Sequence, residues 1–300
     1  MAMEQTPSIR RANWALLIAS AGFLITARLL GRYTGLNPYW AEIVFFCLFP
    51  ILIVRREGMQ PGTTLRYNRV NPEHIGLAVG VYALGIIVTI AVTLTTMSVV
   101  AGLGYRSWDT GGNPLIEFPG SLNQSLFFFA VIPAVCEEMF FRGYLLRAYS
   151  SLGVWRAIIF NSLLFGLLHG SIIRLPITFT LGVVLSLLVL KTGSLIPSMA
   201  VHFINNAVAV ALTQGLTRFL PQAQAAGSTA ALPQIPFIAV AIVLVVGGAA
   251  ALAVWAIVRP EPPFAKPAER LWPALRRSLL ALPVLAVEAF YIFMNFRGLR

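Results

Sequence analysis

Charge is scarce in this sequence. Asp, Glu, Lys and Arg make up 11% of its 300 residues, against about 25% in a soluble domain. Apolar residues make up 58%, more than a water-soluble fold of this size can hide from solvent, and the mean hydropathy is +0.79. A soluble globular chain is therefore excluded. Cysteine is nearly absent: Cys47 and Cys136 both fall in apolar runs, which rules out a disulfide framework and a CxxC metal pair. Aspartate is missing from every apolar run, which excludes a dyad of intramembrane aspartates. HExxH, GxSxG, P-loop and GxGxxG patterns are also missing, and with them the chemistries those patterns carry. Acidic residues number 11 against 22 Lys and Arg, a net charge of +11. In a soluble chain that excess would suggest nucleic acid. Here the basic residues sit in short stretches between apolar runs, with no basic patch interleaved with aromatics, so nucleic-acid binding is excluded.

What is present is a series of apolar runs. A helix needs about 20 apolar residues to cross the hydrocarbon core. Such runs are read at 12–30, 37–54, 75–103, 123–148, 155–171, 175–190, 195–216 and 235–258, with a ninth at 278–296. They predict an all-α integral membrane protein, a polytopic bundle of eight or nine transmembrane helices around a polar intramembrane cavity. Ala19-Ser20-Ala21 mimics a signal cleavage site, but the run continues through Phe23, Leu24 and Ile25, so the first helix is expected to be retained. Most of the Lys and Arg residues, Arg10, Arg11, Arg55, Arg56, Arg142 and Arg147 among them, fall in segments on the side of the N-terminus. That predicts a cytoplasmic N-terminus, in a membrane read as the bacterial cytoplasmic one. Arg174 falls on the opposite side. Residues 104–122 read as an external loop, 218–234 as a flexible link and 259–277, rich in proline and basic residues, as a cytoplasmic linker. The chain divides into N-terminal helices (1–119), a core (120–217) and a C-terminal part (218–300). No inverted repeat of the transporter kind is present. Gly76 and Gly80 form a GxxxG pair, which predicts close helix packing.

Charge in the middle of a span is costly, so its placement is informative. The fourth run carries Cys136-Glu137-Glu138-Met139-Phe140-Phe141-Arg142. Glu138 and Arg142 are four apart and share a helical face, so they can pair. Glu137 is rotated by about 100° and points elsewhere. A carboxylate in an apolar surround can exchange protons near neutral pH. The fifth run carries Phe165 and His169, and the seventh carries His202 and Asn206 on one face. Two of the three histidines thus lie in apolar runs. At a rise of about 1.5 Å per residue, Glu137 lies roughly 13 Å deep, His202 roughly 10 Å, Asn206 roughly 16 Å and His169 roughly 20 Å, which makes His169 the outlier. Buried polar groups can simply glue helices together. Ionisable and amide groups on three different spans point instead to a site.

Glu137-Glu138-x-x-x-Arg142, Phe165-x-x-x-His169 and His202-x-x-x-Asn206 resemble, in order and spacing, the three motifs of the CPBP family. This is the CAAX-protease and bacteriocin-processing (Abi) family, which includes Rce1-type glutamate intramembrane endopeptidases. Phe141-Arg142-Gly143-Tyr144-Leu145-Leu146 and Thr192-Gly193-Ser194-Leu195-Ile196-Pro197 resemble its flanks, and the likeness covers about residues 120–212. The resemblance implies hydrolysis of a peptide bond in a membrane-associated protein or peptide. Glu137 would activate water with His169, His202 and Asn206 would stabilise the oxyanion, and Glu138, Arg142 and Phe165 would give structural support. It further implies no cofactor. Glu137, His169 and His202 also form a two-His, one-carboxylate set that could hold zinc, the alternative of a CAAX-type metalloprotease. Two other readings use the same residues: a non-catalytic immunity or partner-binding protein, and a proton-coupled transporter. The cavity is expected to be reached from the side of the N-terminus, the cytoplasmic side, and Glu288 in the last run is given no catalytic role.

Overall fold

A computed structural model describes residues 6–102, 118, 120–171, 174–219, 237–259 and 270–297. The described residues fold into helices, with no strand among them. We number the helices α1 (Ile9–Tyr33), α2 (residues 40–56), α3 (Pro72–Gly102), α4 (Leu122–Leu152), α5 (Val154–Leu168), α6 (Leu175–Thr192), α7 (Ile196–Phe219), α8 (Phe237–Val258), α9 (Leu271–Arg277) and α10 (Leu282–Arg297). The chain is an all-α polytopic membrane protein. Six of these helices, α1, α3, α4, α6, α7 and α8, are long and apolar enough to cross a membrane. Most of the external loop at 104–122, the link at 218–234 and the linker at 259–277 lies outside the described residues.

Three of the expected spans, at 37–54, 155–171 and 278–296, are not among the helices long and apolar enough to cross. Helix α5 has 15 residues, about 22 Å of helix. It stops at Leu168, and Gly170 follows in the left-handed region at φ 64°. His169 is therefore a helix cap rather than a mid-span residue. Within the ninth run, 278–296, the 16-residue α10 starts at Leu282, and the short α9 lies before the run, in the stretch read as a linker.

Burial sorts the helices into inner and outer ones. Helix α4 is the innermost, with 67% of its apolar window buried, whereas the corresponding share of α8 is 17%. Ile238, Val245 and Leu252 of α8 stand exposed, as side chains facing lipid do. Helix α8 packs chiefly on α3, and α5 pairs with α6. At one end of the bundle Asn13 of α1 accepts a hydrogen bond from the Tyr149 hydroxyl and donates one to the Arg277 carbonyl, both 2.8 Å. It thereby ties α1, α4 and α9 together.

Helix α4 starts at a capping box, in which Ser121 and Gln124 satisfy each other's backbone N–H. It then alternates between α and π winding, with π segments at Phe127–Val131 and Met139–Leu145. Helix α2 has one at Ile43–Leu48. The segments at 43–48 and 127–131 each stand just before a proline, Pro50 and Pro133, which has no N–H to return to the preceding turn. The wide π turns of α2 and α4 face each other: the Phe46 ring lies 5.3 Å from that of Phe140, and the Cys47 thiol lies 3.5 Å from the Met139 sulfur.

The turn between α6 and α7 is anchored from outside. Gly193 ends α6 in the left-handed region at φ 67°, and its carbonyl accepts from the Asn68 amide at 2.8 Å. The Ser194 hydroxyl donates to the Asn68 carbonyl at 2.9 Å, and the Leu195 N–H donates to the Arg66 carbonyl. The α2–α3 connection thus sets where α7 begins.

The GxxxG expectation is corrected. A Cβ added at Gly76 or Gly80 would meet nothing within 4 Å, so among the described residues no helix packs closely there. Close approach occurs elsewhere. At Gly182 of α6 an added Cβ would lie 2.9 Å from the Ser162 Cβ and 3.1 Å from its Cα on α5, and Gly247 of α8 meets Ala91 of α3 in the same way. Overpacking costs about 1–3 kcal/mol. Gly182→Val is therefore expected to lower thermal stability in detergent by that order while Gly80→Val does not, and equal melting temperatures for the two variants would contradict this packing.

Candidate active site

The site begins with charge that cannot reach water. Glu138 and Arg142 are both 0% exposed, and Arg142 Nη1 lies 2.7 Å from Glu138 Oε1. A buried pair survives only with good geometry and further partners. The geometry is good, and Glu138 Oε1 and the guanidinium face have further partners, while Glu138 Oε2 and Arg142 Nε and Nη2 have no hydrogen-bond partner among the described residues. Glu138 Oε1 is 3.0 Å from His202 Nδ1 on α7, and the Arg142 guanidinium stacks 4.1 Å above the Phe165 ring of α5. Phe165 in turn has His169 and His202 at ring distances of 5.0 and 5.9 Å. One ion pair and one aromatic ring therefore bind α4, α5 and α7 into a unit. Arg142, counted from the sequence among the cytoplasmic charges, belongs to this unit and not to a loop. Arg147 is buried as well and donates to the Thr63 carbonyl.

These contacts also set the tautomers of both histidines. His169 Nδ1 lies 2.9 Å from the Phe165 carbonyl. A carbonyl only accepts, so Nδ1 carries the hydrogen and Nε2 is left as the acceptor of the neutral ring. His202 is 2% exposed. Its Nδ1 donates to the Glu138 carboxylate, and its Nε2 lies 3.8 Å from Glu137 Oε2.

Glu137 behaves differently from its neighbour. Its side chain is 16% exposed, and its Oε2 has no hydrogen-bond partner among the described residues. It lines a cavity of about 530 Å³ together with His169 and Asn206. Of the seven residues singled out from the sequence, Glu137, His169, Asn206 and Phe165 line this cavity, His202 touches Glu137 from behind, and Glu138 and Arg142 lie buried below. The short α5 is what brings His169 to the others: the helix ends where its histidine is needed.

Residues 120–208 match a family model described as type II CAAX prenyl endopeptidase Rce1-like. The likeness to the Rce1-like family is carried by this segment. The Rce1-like segment holds α4, α5, α6 and the first half of α7, and with them every site residue read from the sequence. No curated protein matches the chain, and no solved structure does.

Three ionisable cavity residues were not singled out as site residues in the sequence. Glu42 and Tyr39, at the start of α2, lie outside the Rce1-like segment, and Arg174 lies at the start of α6. Glu42 could have been found, because it is an ionisable residue inside the apolar run 37–54 and such residues are rarely idle. Arg174 had been read as a charge of an external loop.

The side of the cavity also needs correcting. Its lining includes Tyr39 just beyond α1, Phe129 near the start of α4, His169 and Arg174. All sit toward the end of the bundle that holds the α1–α2 and α5–α6 connections. The N-terminus, Arg56 and the Gly193 turn are at the other end. A cavity reached from the side of the N-terminus is therefore not what the helix order provides.

Among the described residues no group of three or more His, Cys, Asp or Glu side chains is arranged to hold a metal ion, the set Glu137, His169 and His202 included. Glu138 occupies one ring nitrogen of His202, and the Phe165 carbonyl occupies one of His169.

Removing one member of a buried ion pair leaves the other charge uncompensated, at a cost of about 3–5 kcal/mol. Arg142→Ala is thus expected to destabilise the protein by that order in thermal unfolding. The double variant Glu138→Gln/Arg142→Met should cost less than the sum of its single changes. Additive costs would show that the two residues are not coupled.

Proposed function

We propose that this protein is an intramembrane endopeptidase that hydrolyses a peptide bond in a membrane-associated protein or peptide, by a glutamate mechanism without a metal. The observation that carries this reading is the shared cavity. One carboxylate with an unpartnered oxygen, one imidazole with a free acceptor nitrogen and one carboxamide face a common space within an apolar bundle.

Each group has a role that its geometry permits. Glu137 takes a proton from water, which attacks the scissile carbonyl carbon. His169, with Nδ1–H directed to the Phe165 carbonyl, offers Nε2 as a second acceptor and orients that water. Asn206 supplies amide N–H groups to the developing oxyanion, a large electrostatic contribution when donors are pre-placed away from bulk water. His202 donates from Nδ1 to Glu138, so an oxyanion contact from its Nε2 requires the doubly protonated ring. Glu138 and Arg142 hold His202 and Phe165 in place and do not touch the substrate. The family description supports a peptidase with a substrate at the membrane, and the apolar walls of Phe129, Phe141 and Phe165 suit an apolar peptide segment.

The test is cleavage of a quenched peptide library by purified protein in detergent, with wild type beside Glu137→Ala, each with and without a zinc chelator. Glu137→Ala is expected to lose at least about 10²-fold, the size of a general-base contribution, and wild type to keep its activity with chelator. Loss with chelator would favour the zinc enzyme over this mechanism. Full activity in Glu137→Ala would show that the buried groups serve only to join helices.

A further inference from the structure

The second carboxyl group in the cavity has no part in the chemistry described so far. Glu42 stands in the first turn of α2, outside the Rce1-like segment. It is 3% exposed, it lines the same cavity as Glu137, His169 and Asn206, and its Oε2 is buried without a hydrogen-bond partner. No ion pair holds it among the described residues. The neighbouring charge that acts on it is that of Glu137. Burying a carboxyl group without a partner is costly, and a residue kept in that state beside a reactive site has a use there.

We propose that Glu42 is a further catalytic residue, the acid that gives its proton to the leaving amine while Glu137 acts as the base. This rests on the reading of the chain as a peptidase. Two carboxyl groups that share one largely apolar cavity are like charges in a poorly solvated space, an arrangement that suits one acid and one base. Glu137 is the more exposed of the two, whereas Glu42 is 3% exposed and its Oε2 has no hydrogen-bond partner among the described residues. The more deeply buried carboxyl group, Glu42, is the one placed to serve as the acid. Two carboxyl groups placed in different surroundings are the usual means by which one site runs acid and base chemistry together. Tyr39 and Arg174 line the same cavity.

The steps balance. The water oxygen bonds the scissile carbonyl carbon as Glu137 takes a water proton. The carbon–nitrogen bond then breaks as the nitrogen takes the proton from Glu42. The proton on Glu137 passes across the cavity to Glu42, which restores both groups. One water and one amide become one carboxylic acid and one amine.

The experiment compares two versions of one peptide cleaved by wild type, with an amide or an ester at the scissile position. An ester leaves as an alcohol and depends far less on protonation of the leaving group. Glu42→Gln is expected to slow amide cleavage by about 10²–10⁴-fold, the range of general acid catalysis, and ester cleavage by only a few-fold. Glu137→Gln should slow both. Infrared spectra of wild type at neutral pH should contain a carboxylic-acid carbonyl band that Glu42→Gln lacks. Equal losses on amide and ester would reduce Glu42 to a structural residue, and an unchanged amide rate or an unchanged infrared band would overturn the proposal while leaving Glu137 in its role. A wild type that cleaves neither substrate would overturn the peptidase reading, and this role with it.

Discussion

Everything in the site depends on a charge pair that has no access to water. Glu138 and Arg142 lie one helical turn apart on α4, and neither would tolerate burial alone. Their remaining hydrogen-bonding capacity and faces are what recruit other helices. His202 comes to the Glu138 oxygen from α7, and the Phe165 ring of α5 comes to the Arg142 guanidinium. A pair of this kind adds little net stability over apolar packing, since desolvation opposes the attraction. What it provides is a single arrangement of three helices, because any other would leave a charge unpaired in a low-dielectric interior.

Catalytic placement follows from that constraint. Once α5 is held at Phe165, its early end puts His169 on the cavity wall. Once α7 is held at His202, Asn206 one turn later faces the same space. The π winding of α2 and α4 lets these helices meet through aromatic rings at Phe46, Phe140 and Phe141 while Glu42 and Glu137 both reach the cavity. Local departures from regular winding are common where a helix must present several functional side chains at once.

The residues of the site were largely legible before any coordinates. An ionisable group in an apolar run carries a desolvation cost that must be met, so Glu137, Glu138, Arg142, His169 and His202 announce themselves against a background of Leu, Val and Phe. Glu42 obeys the same rule, but no other acidic or basic residue stands in its run to form a motif with it. The GxxxG pair misled for the opposite reason: Gly76 and Gly80 permit close packing, but only a facing helix makes use of it, and the close contacts formed at Gly182 and Gly247 instead.

The sequence by itself determined the class of fold and the identity of the buried polar residues. Both follow from transfer free energies that act residue by residue: long apolar runs enter the bilayer, and charges within them require partners. Only the tertiary structure decided which partners meet, how short α5 is, which ring nitrogens remain available, and that the cavity lies toward the end of the bundle away from the N-terminus. Those outcomes depend on contacts between residues far apart in the chain, such as Glu138 with His202 and Phe46 with Phe140. Spacing along one helix contains no information about which neighbouring helix completes the pair.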